Sequence, residues 1–96
     1  MPRYSMTDQF RKDWADLDPA DKARFKDTVR REFVPDLEAG RGFRPGLRVK
    51  RVTGTAQVWE MTFAPDGRAT WEYGEAGGDT HVVWRRIGTH DVFRSP

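Results

Sequence analysis

The apolar positions of this chain follow a helical period up to about residue 40 and an alternating one from about residue 47, which predicts helices first and strands afterwards. Phe10, Trp14 and Leu17 recur at helical spacing. They predict a first helix near residues 7–17, capped by Thr7, with Gln9, Lys12, Asp13 and Asp16 on its polar face. Asp18-Pro19 predicts a second start, because an aspartate N-cap and a proline in the first turn each sit where they cost least, and Asp21 complements the helix dipole. This second helix is expected to bury Phe25, Val29 and Phe33. Val34-Pro35 is expected to end or kink it, with one more turn at Asp36-Leu37-Glu38 before Gly40.

Beyond the segment Gly40-Arg41-Gly42-Phe43-Arg44-Pro45-Gly46, Leu47-Arg48-Val49-Lys50-Arg51-Val52 reads as a strand. Thr53-Gly54-Thr55 reads as a turn. Trp59, Met61 and Phe63 share one face of the next strand, and Ala64-Pro65-Asp66-Gly67 predicts a hairpin into Arg68-Ala69-Thr70-Trp71-Glu72-Tyr73. His81-Val82-Val83-Trp84-Arg85-Arg86-Ile87 supplies the last strand. The fold class expected is α+β: two N-terminal antiparallel helices packed on a C-terminal antiparallel sheet of about four strands. Residues 1–96 fit one domain, too short for two independent cores.

Composition agrees with a core built around rings, since six Phe, four Trp and two Tyr stand beside 33% charged residues. With no cysteine, neither a disulfide framework nor a thiolate metal site is possible. The first six residues lack the apolar run of a signal peptide, and no stretch nears the roughly 20 apolar residues of a membrane span. A cytoplasmic protein without membrane attachment is expected.

The net charge of +2 hides an asymmetry: residues 1–40 carry eight Lys/Arg against nine Asp/Glu, and residues 41–96 carry nine against six. Arg41, Arg44, Arg48, Lys50 and Arg51 run together with no acid before Glu60, a local field suited to phosphate. Charge alone favours a plainer reading, a solvated strand face. The four tryptophans are likewise expected first in the core or on a sheet face rather than as platforms for bases.

The chain holds no Gly-Lys-Ser/Thr phosphate loop, no nucleophilic cysteine and no His-Glu-x-x-His helix. His81 and His90 have no carboxylate or cysteine partner at ligand spacing, so neither a metal nor a small-molecule cofactor is expected. Arg86 and His90, separated by a flexible Gly88-Thr89, are a chemically sensible pair for cutting RNA. An imidazole can hold or release a proton near neutral pH, and a guanidinium stays charged and grips phosphate with two donors. Read from the residues alone, a lone histidine near a C-terminal end is more simply a capping group. Phe93 is more simply a core-closing aromatic. No enzyme can be named at this point.

The order helix, helix, basic strand, hairpin, last strand, then Gly88-Thr89-His90-Asp91-Val92-Phe93, is similar to that of the RelE/ParE toxin superfamily, most closely its mRNA-cutting branch, over nearly the whole chain. Arg86 to Phe93 resembles the Arg-x-Gly-Thr/Ser-His-…-Phe ending of the YafQ-type members, with the His-to-Phe spacing one residue shorter. Val58 to Arg68 resembles the hairpin of the HigB-like members, with Trp59 in place of a tyrosine and Thr62 in place of an arginine.

The resemblance implies a toxin of a type II toxin–antitoxin pair, a ribosome-dependent mRNA endoribonuclease working by 2′-hydroxyl attack without a metal. By the same resemblance His90 and Arg86 are catalytic, Arg48, Lys50, Arg51 and Arg68 bind RNA backbone, and Phe93 stacks on or positions a base. The partners implied are a cognate antitoxin, the ribosome and mRNA. Two alternatives stand beside this: a noncatalytic ParE-like inhibitor of DNA gyrase, and a RelE-fold binding module without toxicity.

Overall fold

The computed structural model describes residues 3–74 and 80–90. The elements follow in the order β1 (Arg3–Met6), α1 (Asp8–Asp16), α2 (Pro19–Thr28), a π-helical turn (Val29–Phe33), α3 (Val34–Ala39), a 3-10 turn (Pro45–Leu47), β2 (Lys50–Arg51), β3 (Trp59–Thr62), β4 (Arg68–Gly74) and β5 (His81–Gly88). The strands form one five-stranded sheet in the order β1-β5-β4-β3-β2, with β1 parallel to β5 and every other pairing antiparallel. The α+β class expected from the sequence stands. The sheet is mixed rather than antiparallel, and has five strands where about four were expected.

The helix starts form as their residues dictate. The Thr7 hydroxyl accepts from the Phe10 amide at 3.1 Å, and the Asp18 carboxylate accepts from the Ala20 amide at 2.8 Å ahead of Pro19. Pro35 does not end the second helix. Within a regular helix its ring would meet the carbonyl four residues earlier; the chain widens instead to a π-helical turn, in which the Val34 amide reaches back to the Val29 carbonyl. The helix then continues to Gly40, whose φ of +68° closes it in the left-handed conformation.

Phe10 of α1, Phe25 of α2 and Phe33 of the π-helical turn pack onto Trp84, at centroid separations of 6.3, 5.1 and 5.1 Å. Trp71, fully buried, meets Trp84 at 5.6 Å and Phe33 at 5.0 Å, which ties the second helix to β4 and β5. Val82, Trp84 and Ile87 are all buried, a spacing that plain alternation cannot give. A bulge supplies it: Trp71 pairs with Trp84 and Thr70 with Arg86, leaving Arg85 as the extra residue of β5.

The edge of β5 is shared. β1 pairs with His81 to Trp84 and stops; beyond it the Thr7 amide and hydroxyl donate to the Trp84 and Arg85 carbonyls at 3.0 and 2.8 Å, and the Ile87 amide donates to Asp13 at 3.2 Å. The N-cap residue Thr7 and the Asp13 side chain of α1 therefore take over where the edge strand ends. The strand expected over residues 47–52 shrinks to Lys50–Arg51, because Pro45–Leu47 winds into a 3-10 turn that buries Leu47. Among the described residues no helix is long and apolar enough to cross a membrane.

Candidate nucleic-acid interface

On β3, Met61 faces the aromatic core, so its neighbours Glu60 and Thr62 face the other side of the sheet. There they join Arg48, Val49, Lys50, Arg68 and His90 around an open cavity of about 470 Å3. Each cation arrives by a separate route.

Arg48 is placed by a relay that begins in α3. The Asp36 carboxylate accepts Arg44 Nε at 2.8 Å, Arg44 Nη2 at 2.9 Å and the Arg44 amide at 2.9 Å. These bonds hold the Asp36 carboxyl down to about 2. The fixed Arg44 starts the 3-10 turn, and Arg48 leaves that turn with φ +51° and ψ +43°, the sole non-glycine residue at positive φ among those described. A long side chain held in that conformation points to a positional requirement. Lys50 stands across from Glu60 in the β2–β3 register, its Nζ 3.7 Å from Glu60 Oε1. Arg68 opens β4, and its Nη1 donates to the carbonyls of Ala64, Pro65 and Gly67 at 3.3, 3.4 and 3.0 Å, which pins the guanidinium beside the hairpin turn.

His90, exposed two residues beyond the end of β5, completes the lining. Glu60 is the residue that sequence reasoning passed over. It is 7% exposed and sits among three cations and an imidazole. Its signal in the sequence was a carboxylate set between Trp59 and Met61 in a predicted strand; the lysine across from it appears only with the β2–β3 register.

The remaining candidates lie elsewhere. Arg86 lines a separate acidic cavity with Asp13, Asp16, Asp18 and Asp21, and its Nε and Nη2 reach the Asp13 carboxylate at 2.7 and 3.2 Å. Arg51 projects to the opposite side from Lys50, its guanidinium 6.0 Å from the Trp59 ring centroid. Phe93 falls outside the described residues. Among the described residues, no group of three or more His, Asp or Glu could hold a metal ion.

No protein-family model matches the chain, and no curated protein matches it. Solved structures do match. A metal-bound toxin from Helicobacter pylori aligns over 95% of this chain and 97% of its own, at TM-score 0.66 and 16% identity. A chain of the Escherichia coli DinJ–YafQ toxin–antitoxin complex aligns at TM-score 0.61 and 12% identity, over 95% of this chain and 94% of its own. A YoeB/ParE toxin from Agrobacterium tumefaciens aligns at TM-score 0.64 and 14% identity, over 92% and 98%. End-to-end coverage at such low identity is a likeness of fold, and the chain has the RelE-like fold of these YafQ- and YoeB/ParE-type toxins.

Proposed function

We propose that this protein is the toxin of a toxin–antitoxin pair and cuts messenger RNA on the ribosome, with the cavity around Glu60 and His90 as its cleavage site. The observation that carries this reading is the gathering of one carboxylate, one imidazole and three cations around one open cavity. Those are the groups that cleavage by a 2′-hydroxyl needs.

The Glu60 carboxylate takes the proton of the ribose 2′-hydroxyl, and the freed oxygen attacks the adjacent phosphorus. Arg48, Lys50 and Arg68 hold the phosphoryl oxygens as negative charge builds on them. The bond to the 5′-oxygen breaks, and the imidazolium of His90 gives that oxygen its proton, leaving a 2′,3′-cyclic phosphate and a 5′-hydroxyl. A carboxylate and an imidazole supply both proton transfers, so the step as written asks for no metal ion. Arg86 serves as a positioning residue, fixing through Asp13 the strand from whose end His90 projects. Arg51 adds positive field from the neighbouring face, and Phe93 is assigned to base stacking by its place in the motif.

The partners in this reading are ribosome-bound message and an antitoxin that covers the cationic cavity. The test is incubation of the protein with ribosomes carrying a 5′-labelled message. The reading requires fragments ending in 2′,3′-cyclic phosphate from the wild type and none from Glu60→Gln or His90→Ala. Likeness to a YoeB/ParE toxin supports a second reading, gyrase inhibition, which would instead give intact message and loss of DNA supercoiling.

A further inference from the structure

A second cavity of about 380 Å3 adjoins the first, and the two share Arg48, Thr62 and Arg68 in their walls. Its size falls within the range of small-molecule sites, about 300–1,000 Å3. Phe63 and Pro65 give it an apolar side, and Glu32 is its one acidic lining residue. Glu32 is half-buried; its charge acts on Arg44 from a distance, but among the described residues it makes no direct ion pair, although Arg48 and Arg68 line the same space. Every hydrogen bond of Arg68 among the described residues runs through Nη1, leaving Nη2 and Nε for another acceptor.

From this arrangement we infer that the second cavity receives the base of a nucleotide next to the scissile phosphate, and that Glu32 selects guanine there. The inference rests on the nuclease reading above for its place in the reaction. A phosphate held between Arg48 and Arg68, which line both cavities, sets the ribose on its 5′ side beside Glu60 with the base of that nucleotide toward Glu32, and leaves the nucleotide on its 3′ side toward His90. Phe63 and Pro65 offer the incoming base an apolar face. The Glu32 carboxylate is an acceptor only. Guanine presents N1–H and an N2 amino hydrogen in parallel, matching both carboxylate oxygens; adenine and cytosine present an amino group beside an acceptor. Uracil presents one donor between two carbonyls, which the carboxylate repels.

The experiment is an NMR titration of the whole chain with guanosine 3′-monophosphate and with uridine 3′-monophosphate, following amides 46–48 and 62–65. The wild type is expected to bind the guanosine nucleotide at least about fivefold more tightly, and Glu32→Gln to bring the two within about twofold. Glu32→Gln keeps the size of the side chain, and its amide spectrum reports directly whether it is folded. Equal binding of both nucleotides by the wild type overturns the inference, as does a preference that survives in Glu32→Gln or shifts confined to other amides. Guanine preference without message cleavage would remove the nuclease reading alone; cleavage without guanine preference would remove this inference alone.

Discussion

The Asp13 carboxylate accepts Arg86 Nε at 2.7 Å and Nη2 at 3.2 Å while also accepting the Ile87 amide at 3.2 Å, so one side chain of α1 closes the edge of β5 beyond its bulge. The arginine doublet is thereby divided: Arg85 pairs with Glu72 at 3.0 Å, and Arg86 is drawn to the helix.

Asp13→Ala leaves a partly buried guanidinium and a backbone amide without this acceptor. Urea denaturation should show a loss of about 1–3 kcal/mol. If Arg86 acts only by positioning, Asp13→Ala and Arg86→Ala lower message cleavage by similar factors. A loss in Arg86→Ala more than about tenfold beyond that in Asp13→Ala would place Arg86 on the phosphate instead.

Gly67 closes the β3–β4 turn, its amide donating to Ala64 and its carbonyl accepting from Phe63. A Cβ there would stand 2.8 Å from two atoms of the Phe63 ring and 2.9 Å from Ala64 Cβ. Gly67→Ala should cost about 1–3 kcal/mol by thermal or urea unfolding. Phe63→Leu in the same chain should recover part of that loss, because the offending ring is gone.

The hairpin, both helix caps and the aromatic core were legible because each rests on local chemistry: Ala64-Pro65-Asp66-Gly67 can only turn, and Thr7 and Asp18-Pro19 can only start helices cheaply. Three features were hidden. β1 is exposed along its whole length, so it carries no alternating pattern, and only pairing with β5 makes it a strand. Pro35 reads as an end or a kink, followed by one more turn to Gly40, because the sequence does not reveal that the preceding turn widens and carries the helix on. The bulge at Arg85 breaks the period of the last strand, which placed Arg86 beside His90 on paper and beside Asp13 in the fold. The cationic field was visible in composition; the division of Lys50 and Arg51 between faces required the pairing of β2 with β3. Glu60 became a candidate only when the fold enclosed it with the cations.

The Asp36–Arg44 clamp predicts acid sensitivity. The folded carboxyl lies at about 2, below its ordinary 3.8, so its contribution to stability is complete above about pH 4 and is lost as the pH falls toward 2. Unfolding midpoints measured from pH 5 to pH 2 should fall more steeply for the wild type than for Asp36→Asn. Since the clamp places Arg48, Asp36→Asn should also weaken RNA binding at neutral pH.

Arg48 separates strain from charge. Arg48→Gly removes a side chain at φ +51°, so unfolding free energy should change by no more than about 1 kcal/mol. Binding to single-stranded RNA should nonetheless weaken, with the slope of log affinity against log salt reduced by about 0.7 for one lost phosphate contact. A slope unchanged from wild type would take Arg48 off the backbone.

The central claim, that Glu60 and His90 work on the same ribose-phosphate link, is tested most directly by primer extension on translated message in cells expressing wild type, Glu60→Gln or His90→Ala. The account predicts new 5′ ends with the wild type that disappear when translation is blocked, and none with either variant. Unbroken message in all three, or cleavage undiminished in both variants, would contradict it.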